Sequence, residues 1–214
     1  MQIKGFIAIK IKKLPKIKLT NKESSCIIIL LIRCVVRINI KGIKKMNAKV
    51  RELLNQQINK EFYSAYLYLD FSNYFKAKGL DGFANWYLVQ AQEERDHAML
   101  FYTYLQNENM PVVLEAIDKP NKTFNSSMEV LEAGLEHEKY VTSLINDIYG
   151  ASYDVRDFRT MQFLDWFVKE QGEEETNAND LISKMELFGS DPKGLYMLNQ
   201  ELASRVYSAP SLVL

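Results

Sequence analysis

The sequence predicts an all-α protein: a four-helix bundle with one long crossover connection and a short fifth C-terminal helix. Three features of residues 46–214 support this fold class. Four long stretches place apolar side chains at alternating intervals of three and four, with no Pro inside them. Short connections containing Gly join the first stretch to the second and the third to the fourth, whereas a long segment containing Pro separates the second from the third. A short amphipathic stretch follows near the end of the sequence.

Residues 1–45 differ in composition from the rest of the chain. They carry ten Lys, two Arg and one Glu, a formal charge of +11, whereas residues 46–214 carry a formal charge of −11. Their main apolar run, residues 27–32, is too short to span a bilayer, and no small-residue cleavage site follows it. We interpret this segment as a basic N-terminal extension that is a mis-assigned start, a disordered or surface-bound tail, or an atypical export signal.

We therefore predict two parts, the extension at 1–45 and one helical domain at 46–214. Both cysteines, Cys26 and Cys34, lie in the extension, so the domain has neither a thiol nor a disulfide. This composition is compatible with a reducing compartment, and we expect a cytoplasmic protein. We expect no membrane span and no specific nucleic-acid partner.

The first two helices are predicted over residues 47–75 and from the turn at 78–82 to about Asn107. Because the turn is short and contains two Gly, the second helix should return antiparallel beside the first. Glu61 interrupts the apolar line of the first helix, with Tyr68 on the same face. The apolar line of the second helix is likewise interrupted, by Glu94 and His97.

The connection over residues 108–125 contains Pro111 and Pro120 and has no sustained hydrophobic period. At roughly 3.3 Å per extended residue it spans about 60 Å. A helix of this size is only roughly 40 Å long. The connection can therefore cross from one end of the bundle to the other, and the third helix should run parallel to the second.

The third helix is predicted to begin with a capping box formed by Ser126 and Glu129. We expect it to end at Gly150, because Gly is the residue that most often follows a helix. Glu138 interrupts its apolar line at mid-length. The third helix thus repeats the pattern of the first two.

The fourth helix is predicted to be capped by Asp154 and is interrupted by Gln171 and Glu174. A fifth helix is predicted over about residues 194–207, with Val206 on its apolar face. This helix is too short to be stable unless it packs on the bundle.

The coincidence of these polar interruptions predicts a metal site. The residues are Glu61, Glu94, His97, Glu138, Gln171 and Glu174. An isolated buried carboxylate costs several kcal/mol or takes up a proton, so several converging carboxylates require a cation. Oxygen ligands with one imidazole and no Cys suit iron or manganese better than tetrahedral zinc. A carboxylate shared between two ions, Glu94 or Glu174, would hold a pair of metals.

Residues beside this cluster have two interpretations each. Glu93, Glu170 and Glu173 form either a further, weaker metal position or a solvated acidic face. Tyr68 is either a core aromatic with a hydrogen-bonded hydroxyl or a residue that supports redox chemistry. His137, off the apolar line, is interpreted as a surface or supporting residue rather than a ligand. For the whole set, the alternative is a metal-free bundle with a buried ionic network.

Several separated motifs resemble the non-haem bacterial ferritins, a branch of the ferritin-like family. They are NKEFYSA at 59–65, AQEERDH at 91–97, FLDWFVKEQGEEE at 163–175 and GLY at 194–196. They occur in the same order as in that family, and the resemblance extends over residues 46–214. The extension at 1–45 departs from the pattern, because these subunits normally begin near Met46.

The resemblance implies an iron-storage protein with ferroxidase activity, a ferritin-like bundle assembled into a shell of 24 subunits that oxidises Fe(II) with dioxygen or hydrogen peroxide. It further implies a two-iron centre and no haem. One iron would be bound by Glu61, Glu94 and His97, and the other by Glu94, Glu138 and Glu174, with Gln171 close by and Tyr68 in support. A third iron position would correspond to Glu93, Glu170, Glu173 and Glu174.

Related classes of protein fit the sequence less well. A bacterioferritin-like centre would have a second Glu-x-x-His on the fourth helix and a haem-binding Met after the second-helix Glu, but this chain has Gln171-Gly172-Glu173-Glu174 and Arg95 there. A rubrerythrin-like peroxidase would require a module rich in Cys. A DNA-protecting mini-ferritin builds its site between subunits and lacks the fifth helix.

Overall fold

The computed structural model describes residues 46–214, which form five helices. These are α1 (Ala48–Ala77), α2 (Asp81–Asn107), α3 (Ser127–Asp154), α4 (Phe158–Phe188) and α5 (Pro192–Leu202). The described residues contain no strand, which confirms the all-α prediction. The expectations for residues 1–45 and for their two cysteines lie outside the described residues. No helix in the described part of the chain is long and apolar enough to cross a membrane.

The long connection between α2 and α3 crosses the bundle along α1. Near its start, the side chain of Asn55 accepts a hydrogen bond from the Val113 backbone N–H at 2.9 Å and donates one to the Val113 carbonyl at 2.7 Å. Near its end, the Phe124 ring packs edge-on against Phe71, 5.4 Å between ring centroids. The connection therefore advances along α1 from Asn55 to Phe71, and α3 runs parallel to α2 as predicted.

The first three helices end in one shared backbone motif. Gly79, Asn109 and Arg156 adopt positive φ angles of 74°, 56° and 54°. In each case the next N–H bonds to a carbonyl five residues back, as between Asp157 and Ser152 at 2.8 Å. This bond satisfies a carbonyl that the helix end would otherwise leave without a partner.

Two predicted boundaries of α3 and α4 are wrong. The helix α3 continues through Gly150 to Asp154, because buried residues on its packed face continue as far as Ser152. Consequently Asp154 does not cap α4. That role belongs to Asp157, whose carboxylate accepts a hydrogen bond from the Thr160 N–H at 3.4 Å.

The fifth helix docks on the start of α2. The N-cap residue of α2, Leu80, offers no side-chain acceptor, and Asn199 of α5 supplies one by accepting hydrogen bonds from the N–H groups of Gly82 at 2.8 Å and Phe83 at 3.4 Å. A Cβ on residue 82 would lie 1.7 Å from the Asn199 carbonyl oxygen, so this approach requires Gly.

The prediction that this helix extends to residue 207 is wrong. It ends at Leu202, and Val206 is exposed rather than buried. The side chain of Asn85 explains the stop, because it donates to the carbonyls of Leu202 at 3.4 Å and Arg205 at 2.9 Å and so takes over bonds that a longer helix would make internally.

The bundle contains two apolar core clusters separated by a polar layer. One cluster surrounds Phe71, Phe75 and Phe83. The other surrounds Phe101 and Phe167, together with residues of α1 and α3. Between them lie buried glutamate, glutamine and histidine side chains from α1, α2, α3 and α4. Apolar packing at both ends therefore positions a polar layer at mid-height.

Candidate metal centre

The polar layer contains all six residues predicted from the interrupted helical faces. They are Glu61, Glu94, His97, Glu138, Gln171 and Glu174, each 6% exposed or less. They come from four different helices, so the fold brings together residues that are up to 113 positions apart in the sequence. A buried group of this composition is unusual, because Glu is almost never fully buried without a partner.

Three of these residues already point ligand atoms at one another. One oxygen or nitrogen each from Glu61, Glu94 and His97 lies within 4.8 Å of the others. The His97 Nδ1 atom is 3.4 Å from Glu94 Oε2. Gln57 donates a hydrogen bond to Glu61 Oε1 at 2.8 Å, but the buried Glu61 Oε2 has no hydrogen-bond partner. This unpartnered oxygen is where a cation would bind most favourably.

The other half of the layer is held by hydrogen-bond donors. Tyr68 donates its hydroxyl proton to Glu138 Oε1, and Gln171 Nε2 donates to Glu138 Oε2 at 3.2 Å. Gln90 Nε2 donates to Glu174 Oε2 at 2.7 Å and lies 3.4 Å from Glu94 Oε1. Neutral donors therefore orient these carboxylates without cancelling their charge.

Burial and mutual repulsion raise the pKa of three carboxyl groups of the layer. Burial, followed by the charge of Glu94, raises the pKa of Glu61 to about 8. Burial, followed by the charge of Glu174, raises the pKa of Glu94 to about 8. Burial and the charges of Glu94 and Glu174 also raise the pKa of Glu138 well above its usual range. In the absence of a metal ion these carboxyl groups would hold protons at neutral pH, and a binding cation would displace them.

A small cavity lies beside the second half of the layer. It has a volume of about 20 Å³, and Tyr68, Gln90, Glu138 and Glu174 contribute to its lining. That volume is about the space of one water molecule. The cavity therefore leaves room for one small ion next to two of the carboxylates.

The three acidic residues on the flank have other partners. Glu93 forms an ion pair with Arg205 at 2.5 Å, and Glu173 forms one with Lys169 at 2.8 Å. Glu170 is partly buried. Within residues 46–214, the group of side chains arranged closely enough to hold a metal is that of Glu61, Glu94 and His97. A third iron position therefore stays a prediction.

Sequence reasoning missed three residues that shape the centre. Gln57 and Gln90 each lie four residues before a buried Glu on the same helix, and this spacing was an available signal. Arg205 carried no such signal, because it contacts Glu93 from 112 residues away. His137 is half-buried and its Nε2 lies 2.8 Å from Ser64 Oγ, consistent with the interpretation that it supports the structure.

A family model described as Ferritin-like domain matches residues 51–188, the region that contains all six residues of the polar layer. The chain belongs to the ferritin-like family. A ferritin from the archaeon Archaeoglobus fulgidus, described as a novel open pore ferritin, superposes on this chain with a TM-score of 0.73 at 41% identity, covering 75% of this chain and 99% of that one.

Curated bacterial relatives of this ferritin-like chain agree with that assignment. A probable bacterial non-heme ferritin-like protein of Haemophilus influenzae is 37% identical over 159 residues, which is 74% of this chain and 96% of the relative. A bacterial non-heme ferritin of Campylobacter jejuni is 37% identical over 155 residues, covering 72% of this chain and 93% of the relative. The predicted resemblance is confirmed.

Proposed function

We propose that this ferritin-like protein stores iron and has ferroxidase activity, oxidising Fe(II) to Fe(III) at a carboxylate-bridged two-iron centre inside a shell of 24 subunits. The observation that carries this proposal is the convergence of Glu61, Glu94 and His97, with the buried Glu61 Oε2 left unpartnered. An unpartnered carboxylate oxygen destabilises an apolar core, whereas a bound cation would compensate its charge.

Each of the two ion positions uses residues from more than one helix. The first is bound by Glu61, Glu94 and His97. The second is bound by Glu94, Glu138 and Glu174, next to the small cavity. Carboxylate oxygens and one imidazole suit iron, and both ions share Glu94. Gln171 lies against Glu138 and orients it through its amide.

Iron is the substrate of this reaction rather than a resident cofactor, and the proposed reaction requires no haem. Two Fe(II) ions each lose one electron, and the two electrons with two protons reduce one dioxygen molecule to hydrogen peroxide. With hydrogen peroxide as the oxidant, the same two electrons and two protons yield two water molecules. Tyr68 holds Glu138 through its hydroxyl group and thus positions one ligand of the second ion.

Exposed apolar side chains support assembly into a larger particle. Several lie on the outer faces and at the α4–α5 corner, namely Tyr66, Leu69, Leu88, Leu187, Phe188, Tyr196 and Met197. Leu187 and Phe188 are adjacent at the end of α4, and Tyr196 and Met197 are adjacent in α5; exposed apolar residues that form a contiguous patch mark protein–protein interfaces. Closed symmetric shells bury surfaces of this kind on every copy.

The test combines aerobic Fe(II) oxidation with size measurement on the full-length protein. We expect oxygen uptake well above that of buffer, and a particle of about 600 kDa for 24 copies of a 24.9 kDa chain. Glu61→Gln should slow oxidation about 100-fold, because it removes the charge of a proposed ligand. Glu52→Gln, an exposed change on the same helix, is the matched control. A monomer that oxidises Fe(II) no faster than buffer would identify a metal-free bundle instead.

A further inference from the structure

The C-terminal segment, residues 203–214, folds back across the two helices that carry most of the candidate centre. On α2, the Asn85 side chain donates to the Arg205 carbonyl at 2.9 Å, and Tyr207 donates its hydroxyl proton to Asp96. On α4, the Trp166 indole N–H donates to Ser211 Oγ at 3.0 Å. These contacts place the segment over the flank of the bundle next to the polar layer.

Arg205 is held on this flank by three different kinds of contact. Its Nη2 atom lies 2.5 Å from Glu93 Oε2, with both side chains 17% exposed. Its Nη1 atom donates to Gln90 Oε1 at 2.8 Å and to the Trp86 carbonyl at 3.3 Å. The guanidinium carbon lies 4.1 Å from the centroid of the Trp86 ring. A planar guanidinium can make all of these contacts at once, whereas the ammonium of Lys cannot.

Gln90 connects Arg205 to the metal centre. Because its Oε1 accepts from Arg205, its amide is oriented with Nε2 toward the centre. That Nε2 donates to Glu174 Oε2 at 2.7 Å and lies 3.4 Å from Glu94 Oε1. One amide thus separates the guanidinium from two proposed iron ligands.

We propose that Arg205 is a built-in cation of the C-terminal segment that excludes a metal ion from Glu93 and positions Gln90 against Glu94 and Glu174. This inference rests on the proposed two-ion centre and specifies how many metal ions each subunit binds. A guanidinium and a metal ion cannot share the half-buried Glu93 oxygen, because two cations at contact distance repel more strongly where solvent screening is reduced. While the segment is docked, each subunit therefore holds two ions.

The exclusion is tested by counting ions with a probe that cannot be oxidised. The full-length protein, freed of metal by chelation, is dialysed against Zn(II) alone, and tightly bound zinc is counted per subunit. We expect two ions in the wild type and three in Arg205→Gln. The double variant Glu93→Gln with Arg205→Gln should return to two. Arg159→Gln is the matched control, since Arg159 pairs with Glu108 at 2.7 Å on the exposed surface.

Arg205→Lys separates exclusion from positioning. It keeps a positive charge near Glu93 but cannot also hold Gln90, so it should bind two ions like the wild type. Its maximal Fe(II) oxidation rate should nevertheless fall about 10-fold, with the half-saturating Fe(II) concentration little changed, because Gln90 is no longer fixed. If Arg205 had a purely structural role, Arg205→Lys would not lower the oxidation rate while keeping the zinc count of the wild type, and Arg205→Gln would not raise that count.

The outcomes distinguish this inference from the function on which it rests. Two ions in Arg205→Gln would overturn the exclusion, and an unchanged oxidation rate in Arg205→Lys would overturn the positioning role. A wild type that binds no zinc and oxidises no Fe(II) would instead refute the proposed function.

Discussion

The metal-free protein should lose stability as the pH rises, and a bound metal should reverse the loss. The pKa of Glu61 and that of Glu94 are raised to about 8 from an ordinary value of 4.5. Between these two pH values the folded chain binds more protons than the unfolded chain. Stability is therefore greatest below the unfolded pKa and falls as the pH rises through the folded pKa.

The size of the stability loss follows from the difference between the folded and unfolded pKa values. For one carboxyl group with these two pKa values, raising the pH from 6 to 9 removes about 3 kcal/mol of folding free energy. A divalent ion such as Mn(II), kept under anaerobic conditions at 100 times its dissociation constant, should restore about 3 kcal/mol. Glu61→Gln removes one of the interacting acids, so it should flatten the pH dependence and stabilise the metal-free protein at pH 9.

The assay is urea denaturation at fixed subunit concentration, followed by circular dichroism, with chelator or Mn(II) present. Fixed concentration matters because assembly contributes to apparent stability. Glu52→Gln is the control, since its carboxylate is exposed on the same helix. The reasoning is refuted if the chelated wild type is as stable at pH 9 as at pH 6, or if both variants show the same pH dependence.

Two further predictions concern the shared ligand and the docking of α5. Glu94→Ala should slow Fe(II) oxidation far more than Glu173→Ala, because Glu94 is proposed to bind both ions whereas Glu173 is more than half exposed and paired with Lys169; equal rates would argue against a shared ligand. Gly82→Ala should lower the urea midpoint and expose α5 to limited proteolysis, because its Cβ would overlap a carbonyl oxygen 1.7 Å away. Gly150→Ala, the matched helical change with nothing within 4 Å of its Cβ, should instead stabilise by about 0.5–1 kcal/mol; similar effects of the two changes would contradict the close approach.

The composition of the polar layer was predictable because helical periodicity reports burial directly. The apolar line of a helix faces the core, so a Glu that lies on this line faces the core as well. Glu61, Glu94 and Glu138 are all buried in this way. The long connection indicated the helix order, because its length allowed a crossover from one end of the bundle to the other. Together these two signals determined which side chains meet, without any knowledge of their contacts.

Helix ends were harder to predict, because the decisive backbone conformation is not tied to one residue type. Gly79 was a visible stop, but Asn109 and Arg156 adopt the same left-handed conformation with φ near 55°. A single residue other than Gly pays a modest penalty there, and the packing of the following segment outweighs it. Gly150, in contrast, permits a turn without requiring one, and the helix passes through it.

The choice of groups around the carboxylates explains why the layer can take up cations at all. Gln57, Gln90, Gln171 and Tyr68 donate hydrogen bonds to the buried Glu side chains, and all four are neutral. Lys or Arg in their places would orient the same oxygens but would neutralise them as ion pairs. No Lys or Arg within residues 46–214 is buried, and Arg205, which pairs directly with Glu93, reaches Glu94 and Glu174 only through the Gln90 amide. The compensating charge in the layer must therefore come from protons or from metal ions in solution.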